Sequence, residues 1–276
     1  MTARTAGAEA PRRLNTNGVS LAFHEWPGGG PAIVAIHGLT SNHTAWYPIA
    51  GILGSRHRLI AYDLRGRGDS DKPDKGYNLA EHTADLLGLL DHFGLARAVI
   101  MGHSLGAHIG VRFASHHPDR VAKLVLFDGG LDVRVEVFDS IAPSVNRLGV
   151  EFPSTETFLA IVKSLPMFEG RWNEHLARGG VRSKVAKHAI EEEAGNLQRT
   201  RLWAWHHRIA APTLLLRAPD GLLTPDDCLM TQEEAEAMAH AIPDCRLVVV
   251  PGANHYTILL SDDPLVRREL SAFLAR

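Results

Sequence analysis

The chain has 276 residues, of which 45% are hydrophobic, so it can form one large α/β core with an insertion or two modest domains. Its formal net charge of -2 and the lack of a long basic block exclude a nucleic-acid-binding protein, because such binding needs clustered Lys and Arg. The two cysteines, Cys228 and Cys245, are too few for a disulfide framework and lack metal-ligand spacing, so we expect free thiols.

The first residues, 1–11, are rich in Ala, Thr and Gly and contain no apolar segment long enough for a signal peptide. No stretch of the sequence approaches the about 20 uncharged apolar residues of a membrane-spanning helix. We therefore expect a cytoplasmic protein without a membrane span, whose first residues are frayed.

Apolar strands and amphipathic helices alternate in the first half of the chain. The segment 19–26 alternates polar and apolar residues and is predicted as an antiparallel edge strand, whereas 32–36 is a continuous apolar run typical of a strand covered on both faces. Further strands are predicted at 59–62, 98–101 and 123–127, with helices at 44–53, 79–93 and 107–113. Regular alternation predicts an α/β fold with a parallel sheet and helices on both faces.

The alternation stops at residue 131. The region 131–208 contains several amphipathic segments, such as 138–141 and 157–162, with no clear strand. The sheet pattern then resumes, with strands at 213–216 and 246–250 and helices at 232–241 and from 263 to the carboxyl end. We therefore predict a core of residues 1–130 and 209–276, and an insertion of 131–208 that lies over the sheet.

The sequence Gly-His-Ser-Leu-Gly at 102–106 stands where an apolar strand gives way to a helix. The motif is short enough to occur by chance, but this strand-then-helix context is the confirmation that it requires. So sharp a turn would hold Ser104 in a strained backbone conformation and present its hydroxyl at the carboxyl end of the sheet. The amide N–H of Leu105, at the start of the helix, would point toward an oxyanion formed beside that hydroxyl. We therefore predict that Ser104 is a nucleophile.

A serine hydroxyl is a poor nucleophile at neutral pH, so a base must remove its proton and a third group must orient that base. Among 16 histidines, His255 is the predicted base because it follows the last buried strand, in a loop that would overhang the carboxyl edge of the sheet. Asp220, soon after the preceding strand, is the preferred acid, although an Asp-Gly pair is also a common turn. Asp128, which ends an earlier core strand, is the alternative, and Asp226 and Asp227 are further candidates.

Together these motifs resemble those of the α/β-hydrolase family, and the likeness covers residues 19–274. His-Gly-Leu at 37–39 is similar to the family's oxyanion loop, which implies that the N–H of Leu39 joins that of Leu105 in stabilising a tetrahedral oxyanion. The segment 63–70 resembles the loop after the family's fourth strand, which is a family marker rather than a catalytic part. The resemblance implies a mostly parallel sheet of the eight-stranded type with helices on both faces.

The same resemblance implies that the insertion 131–208 is a helical cap, or lid. In the family, the residue at position 104, in the sharp turn between strand and helix at 102–106 (the elbow), separates the reaction classes. An aspartate there would indicate alkyl-enzyme chemistry on epoxides or haloalkanes, whereas Ser104 indicates acyl transfer. We therefore expect a carboxylesterase-type serine hydrolase that cleaves small to medium uncharged esters, aryl esters or lactones without a metal or organic cofactor. A carbon–carbon bond hydrolase, an amidase, a perhydrolase and a non-catalytic ligand-binding member of the fold stay open as alternatives.

Aromatic and apolar residues of the insertion are candidates for an acyl or aryl pocket, although each could instead pack the cap onto the sheet. Basic and acidic residues are mixed through the insertion, so nothing in it favours a charged substrate. The candidate pocket residues are Met167, Phe168, Trp203 and Trp205 in the insertion, with His37 and His103 beside the catalytic motifs.

Overall fold

The computed structural model of the chain describes residues 11–134, 137, 142, 145–154, 156–158, 160, 181–221 and 227–276, and only the backbone of residue 181. Within these ranges, no helix has both the length and the apolar character needed to cross a bilayer. Both cysteines lie in the described part of the chain and are free thiols, as expected.

A mostly parallel sheet forms the centre of the molecule. The strands in the described ranges are β1 (Arg12–Thr16), β2 (Val19–Trp26), β3 (Gly30–Ile36), β4 (His57–Tyr62), β5 (Ala98–His103), β6 (Val121–Phe127), β7 (Glu151–Phe152), β8 (Val181–Arg182), β9 (Thr213–Arg217) and β10 (Cys245–Val249). Eight of them form one sheet in the order β1-β2-β4-β3-β5-β6-β9-β10, which is antiparallel at β1-β2 and β2-β4 and parallel elsewhere. This arrangement confirms the predicted α/β fold class.

Helices cover both faces of the sheet. Those in the described ranges are α1 (Tyr47–Leu53), α2 (Leu79–His92), α3 (Leu105–His116), α4 (Lys187–Arg199), α5 (Trp203–His206), α6 (Gln232–Ala241), α7 (Thr257–Leu260) and α8 (Pro264–Ala275). Neighbouring residues of β5 show the two-sided packing, since Ile100 joins the cluster under α2 and α3 while Met101 joins the cluster under α1 and α8. Burial on both faces explains why the central strands are continuous apolar runs.

The first edge of the sheet differs from the sequence prediction. We expected β2 to be an edge strand, but β1 pairs along it, from Arg12 opposite Phe23 to Thr16 opposite Val19, and β4 pairs on its other side. In β1 only Leu14 is buried, so this short polar strand lacks the apolar pattern that would have predicted it.

The region 131–208 enters between two strands that are neighbours in the sheet, β6 and β9, at the carboxyl end of β6. Its described parts include α4, α5 and an antiparallel ribbon of β7 and β8, so the expectation of no strand there was wrong. These two-residue strands are too short to show an alternating pattern. The predicted helical segment 138–141 lies outside the described residues, and 157–162 is described only at 157, 158 and 160, which are helical.

Candidate active site

The turn between β5 and α3 has the geometry predicted for a nucleophile. Ser104 has φ 55° and ψ -119°, a left-handed conformation that is costly for a residue with a side chain. A Cβ on Gly102 would overlap the carbonyl of Gly106, and a Cβ on Gly106 would overlap the carbonyl of Ile36 in β3. Both glycines of the motif are therefore required by the close approach of strand and helix.

His255 lies in the loop after β10 and is hydrogen-bonded to a carboxylate. Its Nδ1–H donates to Oδ2 of Asp128 at 2.7 Å, and both residues are buried. The second oxygen of Asp128, Oδ1, accepts from the backbone N–H of Ala218 at 3.0 Å. Since the proton of the neutral ring lies on Nδ1, the lone pair lies on Nε2, the nitrogen that a base needs.

The structure therefore places Asp128, and not the preferred Asp220, against the imidazole. Asp220 is exposed, and its segment pairs with Asn254 as an isolated bridge, with its own N–H donating to the carbonyl of Ala253 at 3.1 Å. Asp128 lies closer to the serine loop because it follows β6, the strand next to the elbow strand β5. Of the other two candidates, Asp226 lies outside the described residues, and Asp227 lies near Tyr256.

The serine loop contacts both the histidine loop and the loop that follows Asp128. The preceding residue, His103, donates from Nε2 to the carbonyl of His255 at 2.7 Å, and the two rings lie 4.5 Å apart between centroids. Gly129, directly after Asp128, packs so closely on Ser104 that a Cβ there would lie 3.0 Å from the serine Cα. The loops that carry Ser104, Asp128 and His255 thus meet at the carboxyl edge of the sheet. His103 holds the histidine loop in place, which differs from its predicted place in a substrate pocket.

The loop after β3 presents the second expected oxyanion donor. Gly38 lies against Ser104, so that a Cβ on this glycine would lie 3.2 Å from the serine Cβ. His37 Nδ1–H donates to the Gly38 carbonyl at 2.7 Å, and its Nε2 accepts from the N–H of Leu64 at 3.0 Å. In a trans peptide the N–H points opposite to the C=O, so this bond restrains the peptide plane that carries the Leu39 N–H.

Neither expected oxyanion donor is used elsewhere in the described part of the chain, where the N–H groups of Leu39 and Leu105 have no protein acceptor. His37 is 0% exposed and both of its ring nitrogens are hydrogen-bonded. It therefore supports the loop, and, contrary to the prediction, it does not line a pocket.

Neither of the two described tryptophans of the predicted pocket has a contact with Ser104 among the described residues. Trp203 is 65% exposed at the surface. Trp205 packs on the far end of α3, with its ring 5.2 Å from that of His116 and 5.3 Å from the guanidinium of Arg112. His116 is the last residue of the helix that begins beside Ser104, about 17 Å away along the axis. The structure thus shows Trp203 at the surface and Trp205 packed on α3, and their assignment to the substrate pocket stays a prediction, while Met167 and Phe168 lie outside the described residues.

Two residues that contact the site were not predicted from the sequence. His108, one helical turn after the serine, donates from Nδ1 to the carbonyl of Ser104 at 2.7 Å, a contact that the i, i+4 spacing could have suggested. Arg67 donates from Nε to the carbonyl of Leu39 at 3.1 Å. No local spacing could have suggested this second contact, because the two residues lie in different loops.

Acid will destabilise the fold through the buried histidines of this site. Burial lowers the pKa of His37 and of His108 from 6.5 to about 4, and that of His103 well below its usual range. Below pH 6.5 the unfolded chain binds protons that the folded chain does not, so stability present above that pH is lost as the pH falls toward 4. Urea unfolding at a series of pH values should show a loss of about 1.4 kcal/mol per pH unit for each such histidine.

Two variants test whether these histidines cause the dependence of the free energy of unfolding on pH. His108→Gln should weaken this pH dependence, while His240→Gln, at an exposed position in α6, should leave it unchanged. A free energy of unfolding that stays constant across this acidic window would contradict the prediction.

Comparisons with known proteins agree with this geometry. A family model described as the alpha/beta hydrolase fold matches residues 31–262. The chain belongs to the α/β-hydrolase fold family. This α/β hydrolase is 30% identical over 253 residues to a 2-(acetamidomethylene)succinate hydrolase of Mesorhizobium japonicum, with 89% of this chain and 88% of that protein covered. It is 29% identical over 275 residues to a putative carbamate hydrolase, RutD, of Klebsiella pneumoniae, with 93% and 97% covered.

Solved structures support the same membership. The crystal structure of E-2-(acetamidomethylene)succinate hydrolase superposes with a TM-score of 0.82 at 27% identity, covering 96% of this chain and 99% of that one. An enol-lactonase from Burkholderia xenovorans LB400 superposes with a TM-score of 0.75 at 22% identity, covering 96% and 100%, and shares the fold. The protein is therefore a hydrolase of the α/β fold.

Proposed function

We propose that this α/β hydrolase is a serine hydrolase that cleaves carboxylic esters through an acyl-enzyme intermediate. The observation that carries the proposal is the strained elbow of Ser104 next to the loop of His255, whose ring is oriented by Asp128 at 2.7 Å. Nucleophile, base and orienting acid are the three parts that acyl transfer by a serine requires.

In the proposed first step, Oγ of Ser104 attacks the ester carbonyl carbon while its proton passes to Nε2 of His255. The electron pair of the carbonyl becomes the oxyanion, and each of the N–H donors of Leu39 and Leu105 lowers the barrier by about 2.7–4 kcal/mol. Collapse of the tetrahedral intermediate breaks the C–O bond, and the alcohol leaves with the proton from the imidazolium. A water deprotonated by His255 then hydrolyses the acyl-enzyme and restores the serine.

Amide or carbamate hydrolysis is the second candidate, and the names of the relatives favour it. One relative is named as a 2-(acetamidomethylene)succinate hydrolase and another as a putative carbamate hydrolase. The same three residues could serve either substrate, since the two reactions differ in the leaving group that the imidazolium must protonate. The ester proposal rests on the geometry of the site.

A matched pair of substrates tests the choice of leaving group. p-Nitrophenyl butyrate and p-nitrobutyranilide carry the same acyl group on an aryl oxygen and an aryl nitrogen. We expect kcat/KM for the ester to exceed that for the anilide by about 100-fold or more. Comparable values for the two substrates would replace the ester proposal with an amidase.

A second measurement separates the remaining alternatives. Product analysis with a β-diketone detects a carbon–carbon bond hydrolase, and the same assay with hydrogen peroxide present detects a perhydrolase. A protein that turns over none of these compounds and does not react with a fluorophosphonate would be a ligand-binding member of the fold.

A further inference from the structure

A buried arginine connects the predicted oxyanion loop to the insertion. Arg67 lies in the segment 63–70, which resembles a marker loop of the family, and its side chain is 0% exposed. Its Nε donates to the carbonyl of Leu39 at 3.1 Å, and Nη1 donates to the carbonyl of Arg65 at 2.9 Å. Its Nη2 donates to Oε2 of Glu193 in α4 at 3.0 Å.

Glu193 is a charged partner held entirely inside the protein. Its Oε2 also accepts from Nε2 of His82 in α2 at 2.7 Å, and neither side chain is exposed. Burial alone would raise the pKa of Glu193, but His82 and Arg67 outweigh burial and lower it to about 2. The carboxylate is therefore ionised at neutral pH, and the guanidinium of Arg67 has a fixed counter-charge.

Leu39 contacts the insertion through its side chain as well. It packs against the small apolar cluster formed by Leu148, Val185 and Ile190, all of which belong to the insertion. Leu39 thus has its side chain against that cluster and against the main core cluster, its carbonyl bonded to Arg67 and its N–H directed by the His37–Gly38 bond. Both peptide planes that flank Leu39 are held by hydrogen bonds.

We propose that Arg67 is a positioning residue for the oxyanion hole, and that Glu193 makes the direction of the Leu39 N–H depend on docking of the insertion against the core. The inference rests on the proposed function, because it concerns the donor that would stabilise the oxyanion. An arginine is needed because its planar fork reaches Leu39 and Glu193 at once from two different nitrogens, whereas a lysine has one nitrogen for both. A donor displaced by a fraction of an ångström stabilises the transition state less.

Arg67→Lys tests the proposal, with Arg65→Lys as its matched control. Arg65 lies in the same loop, is almost as buried, and pairs with both oxygens of Asp85 at 2.6 and 2.7 Å without contacting Leu39. Exhaustive labelling with a fluorophosphonate counts the intact sites in each preparation, so that kcat is expressed per labelled site. Urea unfolding gives the stability of each variant.

We expect both variants to lose stability, but only Arg67→Lys to lose about 10- to 100-fold in kcat per labelled site, with KM changed by less than about threefold. A residue with a merely structural role would lower the unfolding midpoint and the labelled fraction while kcat per labelled site stayed the same. Equal values of kcat per labelled site for the two variants would overturn the proposal.

Glu193→Gln provides a second route if Arg67→Lys does not fold. The glutamine keeps the size of the side chain but removes the charge that holds the guanidinium, so kcat per labelled site should fall in the same direction. An unchanged value for this variant would also contradict the proposal. If the unmodified protein itself is not labelled and does not hydrolyse the ester, the proposed function fails; if it does both and the variants match it, only the role of Arg67 fails.

Discussion

Ser104→Ala will abolish labelling by a fluorophosphonate and lower kcat for p-nitrophenyl butyrate by about 10⁴-fold or more. The loss is large because, in the proposed mechanism, the serine oxygen forms the covalent intermediate. Alanine also has a Cβ, so the variant keeps the strained φ of 55° and should keep its free energy of unfolding. The loss of activity can then be assigned to chemistry.

The matched control for this variant is Ser115→Ala. Ser115 lies in α3 as well, where its hydroxyl donates to the carbonyl of Arg112 at 2.9 Å, near the far end of the helix from the elbow. This variant should be labelled at the rate of the unmodified protein. An alanine at position 104 that still allowed labelling, or that kept the parental rate of ester hydrolysis, would rule out the serine mechanism.

The fold could be predicted from local patterns because burial on both faces leaves a strong record in the sequence. Central strands such as β3 and β6 contain continuous apolar runs, and the helices between them have an apolar side, so the order of strands and helices can be predicted from the sequence. The elbow could be predicted as well, since close backbone contacts leave no room for a Cβ at either glycine of the motif. β1 was missed because a short polar strand with one buried residue has no such record.

Which of the two carboxylates lies against His255 could not be predicted, because it depends on strand order, which local pattern does not contain. Asp128 and Asp220 each follow a predicted parallel strand, and both satisfy a chain order with the histidine last. The sheet places β6 next to the elbow strand β5 and β9 one strand further away. Asp128 therefore lies nearer to the serine loop, while Asp220 pairs with Asn254 at the surface.

The residues that surround the site could not be predicted from local sequence pattern either. An aromatic side chain suits a pocket and a surface contact equally, and the exposure of Trp203 shows the second case. Arg67 and Glu193 are separated by 126 residues, so their contact arises only when the insertion docks on the core. Charged residues of an insertion are usually solvated, and nothing in the sequence distinguishes the buried one.

Asp128→Asn will lower kcat by about 10⁴-fold, whereas Asp220→Asn will leave kcat nearly unchanged. The two hydrogen bonds of Asp128 give the reason. Its Oδ1 accepts from the N–H of Ala218 and its Oδ2 accepts from Nδ1–H of His255. An asparagine has one acceptor oxygen, and if Ala218 keeps it, the amide NH₂ faces the imidazole.

The ring of His255 must then accept a hydrogen bond on Nδ1, so its proton moves to Nε2 and the base loses the lone pair that would take the serine proton. The defect should therefore be in kcat, with KM little changed, and labelling by the fluorophosphonate should slow by a similar factor because it needs the same base. Kinetics of both variants on the same ester decide between the two carboxylates. A large loss in Asp220→Asn together with near-parental activity in Asp128→Asn would mean that the hydrogen bond between His255 and Asp128 does not orient the catalytic base.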